Sequence, residues 1–173
     1  QNNTAKEGDV LFLTKKLGVG ILTTAEKKGI LKEAHAALAP NQMMQLNKAG
    51  EILGALNTVH AMTDVTGFGL LGHLTEMAEG SHLSATVTLA NVPLITPELD
   101  AYIAQKSIPG GTGRNWESYG HKIEFAAGID INRAKAILAD PQTSGGLLVA
   151  VAREAADDIA RLLSDLELYA MPI

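Results

Sequence analysis

The sequence predicts one layered domain of mixed structure, α+β or α/β. Short apolar runs of strand type alternate with segments whose apolar residues recur every three or four positions. There is no long internal repeat, and no linker divides the chain. At 173 residues, such a domain buries roughly 70% of the surface exposed by its unfolded chain, enough for a core without staples. Apolar residues make up 46% and charged residues 19%, a globular composition rather than a disordered one.

Residues 9–15 read as a strand, followed by a turn at Gly18 and Gly20 and a second apolar run to Leu22. Thr23 and Thr24 then offer caps for a polar helix containing Glu26, Lys27, Lys28 and Lys32. Pro40-Asn41 opens a longer helix, with Met43, Leu46, Ala49, Ile52, Leu53 and Leu56 at helical spacings. A buried strand is expected over 57–63. After a glycine-rich turn, Leu70, Leu71, Leu74, Met77 and Ala78 form one helical stripe ending near Gly80. Residues 84–90 alternate as a strand does. Thr96-Pro97 is a helix start, with Leu99, Tyr102 and Ile103 on one face. Residues 108–115, Ile-Pro-Gly-Gly-Thr-Gly-Arg-Asn, read as a loop, either a lid that orders over an anion or an exposed mobile segment. A short helix near 132–139, a core strand at 147–152, an amphipathic helix over 154–166 and a last strand at 168–173 complete the expected order.

Composition narrows the function. The net charge of −5 argues against nucleic-acid binding, which needs a basic face. It also implies that a polyphosphate ligand would be handled through a divalent cation, because like charges about 4 Å apart repel by roughly 4 kcal/mol at an effective dielectric of 20. No apolar run is long enough for a membrane helix. The chain has no cysteine, which excludes disulfides, thiolate metal sites and a cysteine nucleophile from these residues and is compatible with a cytoplasmic setting. It opens on Gln1 rather than Met and stops at Ile173 in an apolar run, as expected of a piece of a longer protein.

Three stretches carry candidate chemistry. Gly67-Phe68-Gly69-Leu70-Leu71-Gly72 satisfies the G-x-G-x-x-G pattern, but a dinucleotide site also needs an acid about 20 residues on. None stands there, and Asp64 would repel a pyrophosphate at the turn. Two readings remain. In one, Asp64 holds Mg²⁺ at a strand end while Thr63, Thr66 and the N–H groups around Gly67 and Gly69 surround an anion. In the other, Asp64 or Thr66 caps the helix and the glycines only turn the chain. Asp140-Pro-Gln-Thr-Ser-Gly-Gly146 poses the same choice: Thr143, Ser144, Gly145 and Gly146 either receive a phosphate or shape the entry to a core strand. Residues 109–116 add Arg114, Asn115 and Trp116. Lys15, in Thr14-Lys15-Lys16-Leu17-Gly18, either reaches a phosphate or, the safer reading, belongs to a solvated lysine pair. His35, His60, His73, His82 and His121 lack metal-ligand spacing.

Taken together, "GDVLFLTKKLGVGILTTA", "AMTDVTGFGLLGH", "IPGGTGRN" and "DPQTSGGLLVAV" closely resemble, in order and spacing, the C-terminal half of the selenophosphate synthetases (selenide, water dikinases). The resemblance runs from about Gly8 to the end. It implies an α/β/α layered α+β fold of the aminoimidazole ribonucleotide synthetase C-terminal type, with partial similarity to a ferredoxin-like fold, and residues 1–173 as one domain. It further implies an ATP- and Mg²⁺-dependent enzyme that makes selenophosphate, AMP and phosphate from ATP, selenide and water, acts as a homodimer, and carries its Cys or selenocysteine, its Lys and most metal ligands on an N-terminal ATP-binding domain outside this chain. On that view Asp64 is the carboxylate this half contributes, Thr63, Thr66, Gly67, Gly69, Thr143, Ser144, Gly145 and Gly146 line the nucleotide, and the chain alone is inactive. The family's Lys-Pro-Leu-Gly-Thr-Gly reads Lys15-Lys16-Leu17-Gly18-Val19-Gly20 here, which argues against a direct ligand role for that loop. The alternatives are another ATP-dependent synthetase of the same architecture, of the purine-biosynthetic type, and a non-catalytic anion-binding or scaffolding module.

Overall fold

The computed structural model describes residues 1–173. Three short strands, β1 (Val10–Leu13), β2 (Val59–Asp64) and β3 (Leu147–Val151), form an antiparallel sheet in the order β1-β3-β2. β3 lies in the centre with all five residues buried. Its register pairs Phe12 and Met62 with Val149 and sets Asp64 opposite Leu147, with an irregularity between Val59 and Ala61.

Period-two alternation makes the sheet the middle of three layers. Leu13, Ala61, Leu148 and Ala150 face the larger core, while Phe12, Leu147, Val149 and Val151 face the smaller one. The larger core is closed by α1 (Val19–Lys27), α4 (Gly69–Gly80), α5 (Leu99–Ala104) and α7 (Ile131–Leu138), with Tyr119 from α6 (Gly110–Tyr119). Across the sheet lie α3 (Ala49–Gly54), through Ala49 and Leu53, and α8 (Ala156–Asp165), through Ile159 and Leu163. A short α2 (Leu38–Met44) precedes α3. This is the α/β/α arrangement that the resemblance implied.

Several elements differ from the sequence expectation. α1 begins at Val19, so Thr23 sits inside it and its hydroxyl donates to the Gly20 carbonyl. Gly18, at φ 123°, precedes the helix without a side chain to cap it, and a Cβ there would lie 2.8 Å from Ile95 Cγ2. The helix expected over 40–56 breaks at Gln45–Asn47 into α2 and α3, leaving Met44 and Leu46 exposed.

Residues 84–90 form no strand. Val87 and Leu89 pack on the large core without an adjoining strand edge, and the chain makes a 3₁₀ turn at Leu89–Asn91. Residues 168–173 make only one bridge, Phe12 to Pro172. Their alternation is real nonetheless: Leu168 and Ala170 pack on the small core, Tyr169 and Ile173 on the large one.

The largest correction concerns 108–115. Instead of a loop, the segment becomes α6 from Gly110, preceded by Pro109. Thr112, Asn115 and Tyr119 form its buried face, a polar stripe that a search for apolar periodicity passes over. Gly111 lets the helix lie against Pro141, whose Cγ would be 2.7 Å from a Cβ.

Candidate functional site

Three loops meet where β2 ends and β3 begins. Val65 N–H donates to the Gly146 carbonyl and Gln142 N–H to the Thr66 carbonyl, so the Asp64–Gly67 turn and the 140–146 loop run side by side. Gly145 is the closest point: a Cβ there would sit 2.0 Å from the Val65 oxygen. Asn115 of α6 fastens both, its Nδ2 donating to Gly67 O at 2.8 Å and to Ala139 O at 3.0 Å.

The 140–146 loop also explains the bare start of α1. Four N–H groups at a helix start lack intrahelical acceptors. Here Gln142 Oε1 accepts from Val19 N at 3.3 Å and Asp140 Oδ2 accepts from Gly20 N at 3.0 Å, with Ile21 N–H also directed at the carboxyl group. Asp140 is fully buried. Desolvation pushes its pKa up to about 7, against the opposing pull of Gln142 and the two N–H groups. Gly20 therefore serves packing: a Cβ would lie 2.5 Å from Asp140 Oδ1. The Lys15–Gly20 segment thus ends in a helix start whose free donors are taken by another loop.

Asp64 stands apart. It ends β2, is exposed, and makes neither a side-chain hydrogen bond nor an ion pair within the chain. Neither Asp64 nor Thr66 caps α4: the helix follows Phe68 without a side-chain cap, and the Thr66 hydroxyl lies 3.1 Å from His73 Nε2. Burial lowers the His73 pKa, opposed by the charges of Glu76 and Asp64. Tyr119, with its own pKa pushed up to about 12 by burial, donates its hydroxyl to Phe68 O. Gly69 is the one glycine of this turn at positive φ, 70°, and a Cβ there would meet Ala139 C at 2.8 Å. Gly67 has nothing within 4 Å of a would-be Cβ.

Asp64 and Thr63 line an open cleft of about 540 Å³ with Asn47, Met62 and Leu147. The N–H groups of Thr66, Gly67 and Phe68, and those of Thr143, Ser144, Gly145 and Gly146, find no acceptor in the chain. Thr143 and Ser144 are exposed, Gly145 and Gly146 buried. Two adjacent runs of free donors suit an anion. No group of three or more His, Cys, Asp or Glu side chains is placed to hold a metal. A divalent cation at Asp64 fits only if oxygens from elsewhere, such as phosphates, water or another domain, complete its shell.

Sequence reasoning misread one residue here and missed another. Lys15 is buried rather than solvated, and its Nζ donates to the carbonyls of Gln45 at 2.6 Å and Ser144 at 2.8 Å. Burial lowers its pKa. Asn47 Nδ2 donates to the Gly145 carbonyl at 2.9 Å. A lysine after a strand gave no local signal of either contact.

These features define the class: a three-layer α/β/α domain with a strand-end carboxylate beside two loops of unpaired N–H groups. The chain belongs to the family described as AIR synthase related protein, C-terminal domain, which matches residues 6–173. Its curated relatives include proteins named selenide, water dikinase. The one from Aeromonas hydrophila is 53% identical over the whole chain, which covers 49% of that protein, and the one from Pseudomonas putida is 52% identical with the same coverage. The chain spans about half the length of the curated relatives it matches.

Among solved structures, the hydrogenase maturation protein HypE aligns with a TM-score of 0.68 at 16% identity, covering 99% of this chain and 46% of that one. Thiamine-monophosphate kinase from Stenotrophomonas maltophilia aligns at 0.59 and 20% identity, covering 97% and 47%. A HypE structure in complex with ATP aligns at 0.60 and 18%, covering 98% and 41%. These likenesses establish the fold.

Proposed function

We propose that this chain is the C-terminal half of a selenophosphate synthetase, which converts ATP, selenide and water to selenophosphate, AMP and phosphate. In this reading the domain completes a Mg²⁺-ATP site that a preceding ATP-binding domain largely builds. Asp64 supplies one carboxylate to the cation. Thr63, Thr66, Gly67 and Gly69 on one side, and Thr143, Ser144, Gly145 and Gly146 on the other, face the polyphosphate. The bound Mg²⁺ would offset negative charge on phosphate oxygens. The residues of this chain orient the anion through backbone donors and hold the metal edge through a single carboxylate.

The observation that carries the proposal is an Asp64 carboxylate with no partner in the chain, beside the donors of the two loops. Identity above 50% to proteins named selenide, water dikinase supports the choice of reaction. The enzyme is proposed to work in the cytoplasm as a homodimer. No helix of the chain is long and apolar enough to cross a membrane. The test compares the purified 173-residue chain with the full-length protein in selenide-dependent AMP formation. Activity is expected only in the full-length protein; turnover by the chain alone, above a no-protein control, would overturn the division of labour.

A further inference from the structure

We propose that Lys15 and Asn47 are positioning residues that turn the peptide N–H groups of Gly145 and Gly146 toward a bound polyphosphate. The inference rests on the anion-binding reading of the 140–146 loop given above and adds a reason why that loop can receive an anion.

Lys15 is an unusual cation. Only 3% of it is exposed, no carboxylate pairs with it, and its ammonium rests on two carbonyls from separate segments, Gln45 and Ser144. A buried ammonium is costly unless its hydrogens are satisfied. These bonds therefore fix the Ser144 carbonyl against Lys15. Asn47 fixes the next carbonyl, that of Gly145. No peptide bond is cis, and in a trans peptide the C=O and the following N–H point in opposite directions. Holding the carbonyls of Ser144 and Gly145 consequently aims the N–H groups of Gly145 and Gly146 away from Lys15 and Asn47.

Those two N–H groups belong to buried residues and have no acceptor in the chain, a state that buried backbone donors rarely tolerate. Ser144 reaches the arrangement at φ 51°, a left-handed conformation that a serine adopts only under constraint. Gly146 reaches it by lying so close to Lys15 that a Cβ would fall 2.4 Å from the Lys15 backbone nitrogen. A left-handed residue within a run of consecutive free donors is a setting in which backbone N–H groups can converge on an anion. Lys15 braces the loop through the Ser144 carbonyl, and Asn47, at the edge of the Asp64 cleft, through the Gly145 carbonyl.

The test uses the full-length protein, labelled at glycine, titrated with inorganic tripolyphosphate. The wild type is expected to show amide shifts at Gly145 and Gly146. Lys15→Met and Asn47→Leu are each expected to weaken tripolyphosphate binding at least tenfold and to shrink those two shifts, while Lys15→Arg restores most of both. Asn47→Leu changes no charge, so its loss should persist at high salt, where a purely electrostatic contribution of Lys15 would fade. It also serves as the probe if Lys15→Met does not fold. Wild-type shifts at Gly145 and Gly146 that Asn47→Leu leaves unchanged in size and affinity would overturn the positioning role and leave the anion site standing. Absence of shifts at both glycines in the wild type would overturn the anion-binding reading and this inference with it.

Discussion

The carboxylate of Asp140 accepts the backbone N–H of Gly20 at 3.0 Å, across 120 residues of sequence. One loop thereby supplies the cap that the first helix lacks. Because burial holds the Asp140 pKa near 7, above its value of 3.8 in an unconstrained chain, the folded state binds this proton more tightly than the unfolded one. Its contribution to stability is full below about pH 4 and is lost as pH rises through 7, by a few kcal/mol at most. The difference in melting temperature between wild type and Asp140→Asn should therefore shift against the wild type by several degrees from pH 5 to pH 8. Parallel melts across that range would refute the assignment.

Asp64→Asn in the full-length enzyme should leave the melting curve nearly unchanged, since the carboxylate makes no hydrogen bond or ion pair within the chain. Activity should fall on the order of 100-fold or more if the metal contact supplies several kcal/mol of transition-state stabilisation. Added Mg²⁺ should recover part of it. Near-normal turnover would remove Asp64 from the metal site.

Two glycines of the same turn should behave oppositely. Gly69→Ala forces a side chain into positive φ and against the Ala139 backbone, and should cost about 2 kcal/mol or more. Gly67→Ala meets open space and should change stability by less than about 0.5 kcal/mol. Denaturant melts of the two variants decide this, and equal losses would mean that the turn is packed differently.

Amide exchange within α6 should be slow without nucleotide from Asn115 to Tyr119, because Thr112, Asn115 and Tyr119 are buried. Asn115→Asp removes the donor to both Gly67 O and Ala139 O and should destabilise by about 3 kcal/mol. Exchange at the open-chain rate throughout the segment would return it to the loop that its glycines suggest.

That segment marks the limit of what the sequence discloses. β1, β2 and β3 are legible as short, largely apolar runs beside turn residues, and α4, α7 and α8 because their apolar residues recur at helical spacings. β2, expected to be buried, is an edge strand with only Ala61 buried. α6 is not legible, because its buried face is Thr, Asn and Tyr. The start of α1 is hidden for a related reason: its capping groups, Asp140 and Gln142, lie far along the chain. At the candidate site, the adjacency of Asp64 to its own glycine-rich turn was legible as motif chemistry, whereas the approach of the 140–146 loop rests on contacts far apart in sequence. The burial of Lys15 was not, because its acceptors are carbonyls at Gln45 and Ser144, and every residue type has one.

The strand order carries a consequence for biosynthesis. β3 is both central and last, pairing Val151 with Val10 on one side and Val59 on the other. Until Val151 leaves the ribosome, the two earlier strands have no sheet to join, and their unpaired edges remain open to other chains. Closing such distant pairs is entropically slow. A nascent chain stalled before residue 147 should consequently be protease-sensitive and chaperone-bound, whereas one extended past Ile173 should acquire its protection in a single late step.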